Sequence, residues 1–248
     1  QRIEAVLGWA TVSGFRSGDN PAAWRGRIDT VLASPAAIKK VEAMAALPHR
    51  EIGGFMAALR RADGLGARAL ELQILTAMRP GAVATARWSE FDFTANTWTI
   101  PGARMKTRLG KEAAREHVVP LPAQVMDLLK RVPRGDDDRV FPGVKDASIT
   151  TAAMLKAARA INPNIDAHGF RSTFRDWCAD CTAFPGELAE LALAHTLKDK
   201  TEAAYLRTKQ VEKRRALMVA WASRCGQNDT AAATVTNIKN KPNSARSR

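Results

Sequence analysis

Tyr205 is the only tyrosine in the chain, and it follows His195 across a polar turn, Thr196 to Lys200. Asp199 and Glu202 have the spacing of an N-cap residue and its N3 partner, which predicts a short helix carrying Tyr205. Arg79, Lys106, His168, Arg171 and His195 are the residues whose types suit work beside it on a phosphodiester. Two arginines can hold the non-bridging oxygens of one phosphate and stabilise the charge of a five-coordinate transition state. A phenol with a pKa near 10 is only about 0.1% ionised at neutral pH. It needs a cationic pocket and a proton acceptor before it can attack. Breaking a DNA backbone expels a sugar alkoxide, a poor leaving group, and a lysine in a basic site can protonate it. The product would be a protein–phosphotyrosine bond that a DNA hydroxyl can reverse without ATP, metal or cofactor. The sequence has no acidic cluster resembling a nuclease metal site.

The elements that must position these residues are legible as patterns. A helix over Leu65 to Met78, apolar on most sides, is expected to stop at Arg79 because Pro80 follows. Pro80 can open the next short helix, Gly81 to Ala86. Arg79 then stands at a kink between buried helices, where it either caps carbonyls or binds an anion. Lys106 lies in the basic stretch Gly102 to Glu116, between β-rich segments Thr97 to Ile100 and His117 to Leu121. That predicts a small antiparallel sheet with a basic hairpin, its middle strand left open. Asp166 opens the helix DAHGFRSTFRDWCADC. At about 100° per residue, His168, Arg171 and Arg175 fall within roughly 60° of one another. Phe170, Phe174, Trp177, Cys178 and Cys181 form a separate arc expected to face the core. His168 and Arg171 occupy the first turn, which favours a bound anion or merely a charged helix end. Pro185 and Gly186 open the helix expected to end at His195, which reads either as a packed histidine or as a ligand of the phosphate.

Around these lie simpler segments. Gln1 to Thr11 reads as the end of a helix, Pro21 to Leu32 as a short amphipathic one, and Ser34 to Ala46 as a basic linker. Because the chain starts at Gln1 inside a helical pattern, a longer protein is expected. Ile52, Phe55, Met56 and Leu59 follow the spacing of a one-faced helix ending at Asp63 and Gly64. Pro122 to Val132 is a helix with Val125, Leu128 and Leu129 on one face, and Ser148 is expected to cap a helix through Ala160. Lys209 to Arg224 is amphipathic through Val211, Met218 and Trp221, and Gln227 to Arg248 reads as a disordered basic tail. Asp136, Asp137 and Asp138 read as a solvated turn rather than a metal cluster. Cys178 and Cys181, without a second pair, read as small core residues rather than zinc or redox ligands.

Composition narrows the partners. A formal charge of +13 over 248 residues favours a polyanion such as nucleic acid. No run of about 18 apolar residues suggests a membrane span, and no membrane partner is expected. Three cysteines argue against a disulfide framework and for a reducing compartment, so a cytoplasmic location is expected.

Taken in order, TAMRP, MKT in a basic hairpin, HGFR, LAH and AAYLR resemble the catalytic domain of the tyrosine recombinases. The phrases ARWSEFD, HGFRSTFRDW and ELALAH are similar to phage and genomic-island integrases of the satellite-phage type. The similarity runs from about Pro48 to Arg224. It implies a mainly α fold with a small antiparallel β-sheet, the DNA breaking-rejoining fold. It implies residues 1–46 as a core-binding-domain remnant and linker, 47–226 as the catalytic domain, and 227–248 as the tail. It makes Arg79 and Arg171 the phosphate-binding arginines and Lys106 the general acid towards the 5′-oxygen. His168 becomes the proton-transfer histidine, His195 a hydrogen-bond donor to the scissile phosphate, and Tyr205 the nucleophile of a 3′-phosphotyrosine link. The implied partners are double-stranded DNA attachment sites, further copies of the chain in a tetramer, and a DNA-bending accessory protein or excisionase. One departure stands out: the family usually has an acidic residue three positions after the first arginine, and here it is Ala82. A DNA-binding module with weakened catalysis, or a type IB topoisomerase, are the competing readings.

Overall fold

The computed structural model describes residues 2–33, 45–105, 116–144, 147–195 and 210–227. The chain divides into two compact units, Gln1–Ala43 and Met44–Arg248. In the first, α1 (Arg2–Val12) is tied to the following loop, where the Asn20 side chain donates to the Glu4 carbonyl at 2.8 Å. Its apolar residues stay in solvent: Ile3, Val6, Trp9 and Val12 are all exposed. The expected helix over Pro21 to Leu32 is absent. Turns and a single 3-10 turn at Ile28–Thr30 stand there, with Val31 and Leu32 exposed. Without a surface to bury that stripe, so short a segment lacks the packing that stabilises short helices.

The second unit holds the core. In α2 (Ile52–Arg61) the residues Ile52, Phe55, Met56 and Leu59 are all buried, as their spacing requires. α3 (Leu65–Thr76) is buried along nearly its whole length and packs closely on α6 (Thr151–Ile161); a Cβ at Gly66 would come 2.9 Å from the Ala153 carbonyl. Its buried carboxylate, Glu71, is compensated by Arg60 at 2.9 Å and Arg68 at 3.1 Å. α3 ends at Thr76 rather than at Met78, because Ala77 takes a left-handed conformation with φ 53°. Arg79 is extended before Pro80, which opens α4 (Pro80–Ala84).

Three antiparallel strands follow, in the order β1 (Phe91–Asp92), β2 (Thr97–Ile100), β3 (His117–Pro120). β2 is therefore the middle strand, and Ile100 pairs with His117. The tip of the basic hairpin, with Lys106, lies outside the described residues. α5 (Ala123–Arg131) buries Val125, Leu128 and Leu129. The Asp136–Asp138 turn is structural: Asp138 accepts hydrogen bonds from Ser89 N and Oγ, at 2.9 and 2.6 Å. Thr150, not Ser148, caps α6, its hydroxyl accepting from Ala153 N at 3.2 Å. Ser148 instead forms a bridge with Pro142.

α7 (Gly169–Cys181), α8 (Gly186–Ala192) and α9 (Gln210–Arg224) complete the unit. Phe170, Phe174, Trp177 and Cys178 are buried, with Trp177 and Phe174 packed 5.1 and 5.3 Å from Trp221 of α9. Cys181 departs from the expected arc. It lies exposed at the last turn, its Sγ 3.9 Å from His49 Nδ1. α7 ends there, so helical phase no longer decides burial. Trp221 Nε1 donates to the Ile74 carbonyl at 2.7 Å, and Gln73 Nε2 to the Ala167 carbonyl at 2.5 Å. These two bonds fix α9 and the start of α7 against α3.

Candidate active site

Arg171 sits in the first turn of α7 and is only 4% exposed. Its guanidinium is held by the C-terminal ends of two other helices. Nη1 donates to the Ala77 carbonyl past α3 at 2.6 Å, and Nη2 to the Leu193 carbonyl past α8 at 2.6 Å. Both carbonyls are left over where a helix stops, and both carry the partial negative charge of a helix C-terminus. The left-handed residues Ala77 and Ala194 (φ 53° and 52°) turn the chain so that these acceptors face inward. No carboxylate forms a salt bridge with Arg171 among the described residues. Burial first, then Arg79, draws its pKa down to about 10, against the opposing pull of Glu190; it remains a cation at neutral pH.

His195 completes the arrangement. Arg171 Nη2 lies 3.0 Å from His195 Nε2, and His195 Nδ1 lies 2.7 Å from Glu190 Oε2. A guanidinium only donates, so Nε2 is the acceptor and Nδ1 carries the proton given to Glu190. Glu190 Oε1 in turn accepts from Arg175 Nε at 2.6 Å. Burial pushes the Glu190 carboxyl up, but the hydrogen bonds from His195 and Arg175 outweigh it and hold the group below its ordinary value. Arg175, expected beside Arg171 on one face, thus serves this carboxylate instead. Glu190 and His195 would stand about 140° apart on a regular helix. The turn at Ala194 brings them together, with His195 N bonded to the Glu190 carbonyl at 2.9 Å.

Arg79 and His168 line a cavity of about 550 Å³ together with Ala82, Arg104 and Asp166. The Arg79 guanidinium has no hydrogen bond or ion pair with a described residue, and burial lowers its pKa. His168 is exposed at the start of α7, its backbone N–H donating to Asp166 Oδ1 at 2.7 Å. Burial, then Arg171, lowers the imidazole pKa, while Asp166 opposes the shift and Arg79 and His195 add to it. Arg79, His168, Arg171 and His195 therefore share one electrostatic environment. Lys106 and Tyr205 lie outside the described residues. His117, read from sequence only as the start of a strand, has its pKa lowered to about 3 by burial first and then by the charges of Arg214, Arg79 and Arg171. Glu190 had no role in the sequence beyond its place in ELALAH.

Residues 46–212 match the model of the phage integrase family. The chain belongs to that family. The integrase of enterobacteria phage P4 is 28% identical over 245 residues, covering 92% of this chain and 54% of the relative. Prophage integrase IntA of Escherichia coli is 34% identical over 173 residues, covering 67% of this chain and 40% of the relative. The chain thus spans about half the length, or less, of these relatives. Among solved structures, the integrase of mycobacterium phage Brujita has a TM-score of 0.54 at 18% identity, covering 88% of this chain and 68% of that one. A lambda integrase dimer bound to a COC′ core site gives 0.53 at 13%, covering 82% and 56%. These likenesses show the phage integrase fold, mostly helical with a three-stranded antiparallel sheet, and it is the fold described above.

Proposed function

We propose that this chain is the catalytic part of a site-specific DNA recombinase that cleaves and rejoins DNA to integrate or excise mobile DNA. The observation that carries this reading is Arg171, a buried cation held by two helix C-termini and His195, beside an Arg79 with no hydrogen bond or ion pair to a described residue. Such a site is built for an anion that the described residues do not supply. In the proposed reaction the two arginines hold the scissile phosphate, and the Tyr205 oxygen attacks phosphorus. Tyr205 gives up its proton through His168 as a 3′-phosphotyrosine forms. The bond from phosphorus to the 5′-oxygen breaks, and Lys106 protonates the leaving 5′-oxygen. For His195 to donate to the phosphate, Nε2 must leave Arg171 and take up a proton from solvent, because in the arrangement above the proton is on Nδ1. In the reverse step the 5′-hydroxyl of another strand attacks the phosphotyrosine and Tyr205 leaves.

We assign residues 1–46 to part of a core-binding domain and a linker, and 227–248 to a tail. Double-stranded attachment sites, a tetramer of this protein and a DNA-bending accessory protein or excisionase are the partners we assign, in the bacterial cytoplasm. Ala82 on the cavity wall favours a second reading, a DNA-binding module of weakened catalysis, since no acidic side chain stands there to brace Arg79. A nicked suicide duplex carrying the attachment site, resolved on a denaturing gel, separates the two. A covalent protein–DNA band is expected, absent in Tyr205→Phe and reduced at least about 100-fold in Arg171→Ala. Tight binding without any band would establish the second reading. EDTA should leave the band unchanged.

A further inference from the structure

Two arginines share the cavity wall and differ in what holds them. Arg79 has no hydrogen bond or ion pair with a described residue. Arg104, at the end of the 3-10 turn Gly102–Arg104, is bonded on both sides of its guanidinium. Its Nη1 donates to the Thr85 backbone carbonyl and, at 2.7 Å, to Thr85 Oγ1. Its Nη2 donates to Glu90 Oε2, an ion pair in which both side chains are largely buried. The same carboxylate oxygen accepts from Trp98 Nε1 of β2 at 3.0 Å. Glu90 balances the charge of Arg104 and Thr85 takes both Nη1 protons, which sets it apart from the phosphate-binding arginines.

These bonds reach the far end of the helix that Arg79 begins. Arg79 is the N-cap residue of α4, and its carbonyl accepts from Ala82 N at 3.0 Å and Val83 N at 3.2 Å. Thr85 closes the same helix, its hydroxyl donating to the Gly81 carbonyl at 2.9 Å. So short a helix cannot hold itself; its place comes from what it is bonded to and packed against. We propose that Arg104 is a positioning residue: with Glu90 it clamps the C-terminal end of α4 to the sheet, and so fixes the backbone from which Arg79 lines the cavity. A guanidinium suits that task because it is a fork, bonding Thr85 with one nitrogen and Glu90 with the other. A lysine ammonium is a single point of charge and cannot bridge the two. The consequence for the phosphate rests on the recombinase reading; the clamp on α4 does not.

Arg104→Lys keeps the charge and loses the fork, whereas Arg104→Gln loses both. In the 248-residue chain, the Val83 and Thr85 backbone amides should exchange about tenfold faster in either variant, read by NMR, with the amides of α2 unchanged. On the nicked suicide duplex, covalent-complex formation should fall about tenfold, with duplex affinity within about threefold of wild type. In an Arg79→Ala background, Arg104→Lys should cost less than about twofold, because the residue it acts through is gone. If the Gln variant does not fold, the Lys variant, which leaves a cation beside Glu90, decides the matter. A Lys variant with wild-type exchange and rate overturns the proposal, since charge alone would then suffice. So does a full tenfold loss in the Arg79→Ala background, which would mean that Arg104 acts by another route. A wild-type chain that forms no covalent complex defeats the recombinase reading instead, and amide exchange in α4 still decides the clamp.

Discussion

At the scale of single residues, the site depends on a guanidinium held by dipoles rather than by a counter-ion among the described residues. Ala77 and Leu193 contribute carbonyls, His195 a lone pair, and none of them cancels the charge on Arg171. A carboxylate in their place would hold the arginine as firmly but would compete with a phosphate for it. Glu190 stands one step back, acting through His195, and its carboxyl is held below its ordinary value by His195 and Arg175 despite burial. The sign follows directly. A depressed carboxyl contributes stability above its unfolded value of 4.5, and that stability is lost as pH falls through the lower folded value. Glu190→Gln should therefore flatten the fall in thermal midpoint below pH 4.5, read by scanning calorimetry across pH. It should also slow covalent-complex formation, since one amide cannot accept from both His195 and Arg175. A variant whose pH dependence matches wild type would remove Glu190 from the relay.

At the scale of elements, the decisive feature is how α7 begins. Gly169 lies against the segment that leads into α2: a Cβ there would run into the Ala45 carbonyl, while Asp166 N donates to that same carbonyl at 3.2 Å. This close approach sets the first turn of α7, and with it the places of His168 and Arg171. Gly169→Ala should cost about 1–3 kcal/mol in denaturant unfolding, because backbone must shift to admit the methyl group. Gly54, mid-helix in α2 with open space where its Cβ would stand, is the control. Gly54→Ala should stabilise by about 0.5–1 kcal/mol. Equal effects of the two substitutions would show that the contact with Ala45 carries no weight. The pattern of α2 was legible because its apolar residues repeat with the helix and face one core. The end of α3 was not, since the left-handed turn at Ala77 leaves no mark that a sequence pattern reads; alanine is an ordinary helix former.

At the scale of the molecule, charge and core do different work. The formal charge of +13 is a long-range attraction for a polyanion and contributes nothing to fold. Affinity for random-sequence duplex should fall steeply with salt, by about 10³-fold or more between 50 and 200 mM, if six or more phosphates are contacted. Fluorescence anisotropy at graded salt measures it, and a flat dependence would mean the basic residues lie away from DNA. The core, by contrast, is what brings the site together: Trp221 on α9 and Gln73 on α3 lock distant stretches of chain by single bonds to backbone carbonyls. Sequence alone determined the residue types, their order along the chain and the helices on or beside which Arg79, His168, Arg171 and His195 stand, because those follow from local periodicity and from proline and glycine chemistry. It marked Arg79, His168, Arg171 and His195, but left each with a purely structural alternative. Tertiary structure alone decided what surrounds them. Carbonyls carry no sequence signature, so nothing local predicts that Ala77 and Leu193 would hold Arg171. Nor does local pattern predict that a left-handed Ala194 would fold His195 back onto Glu190.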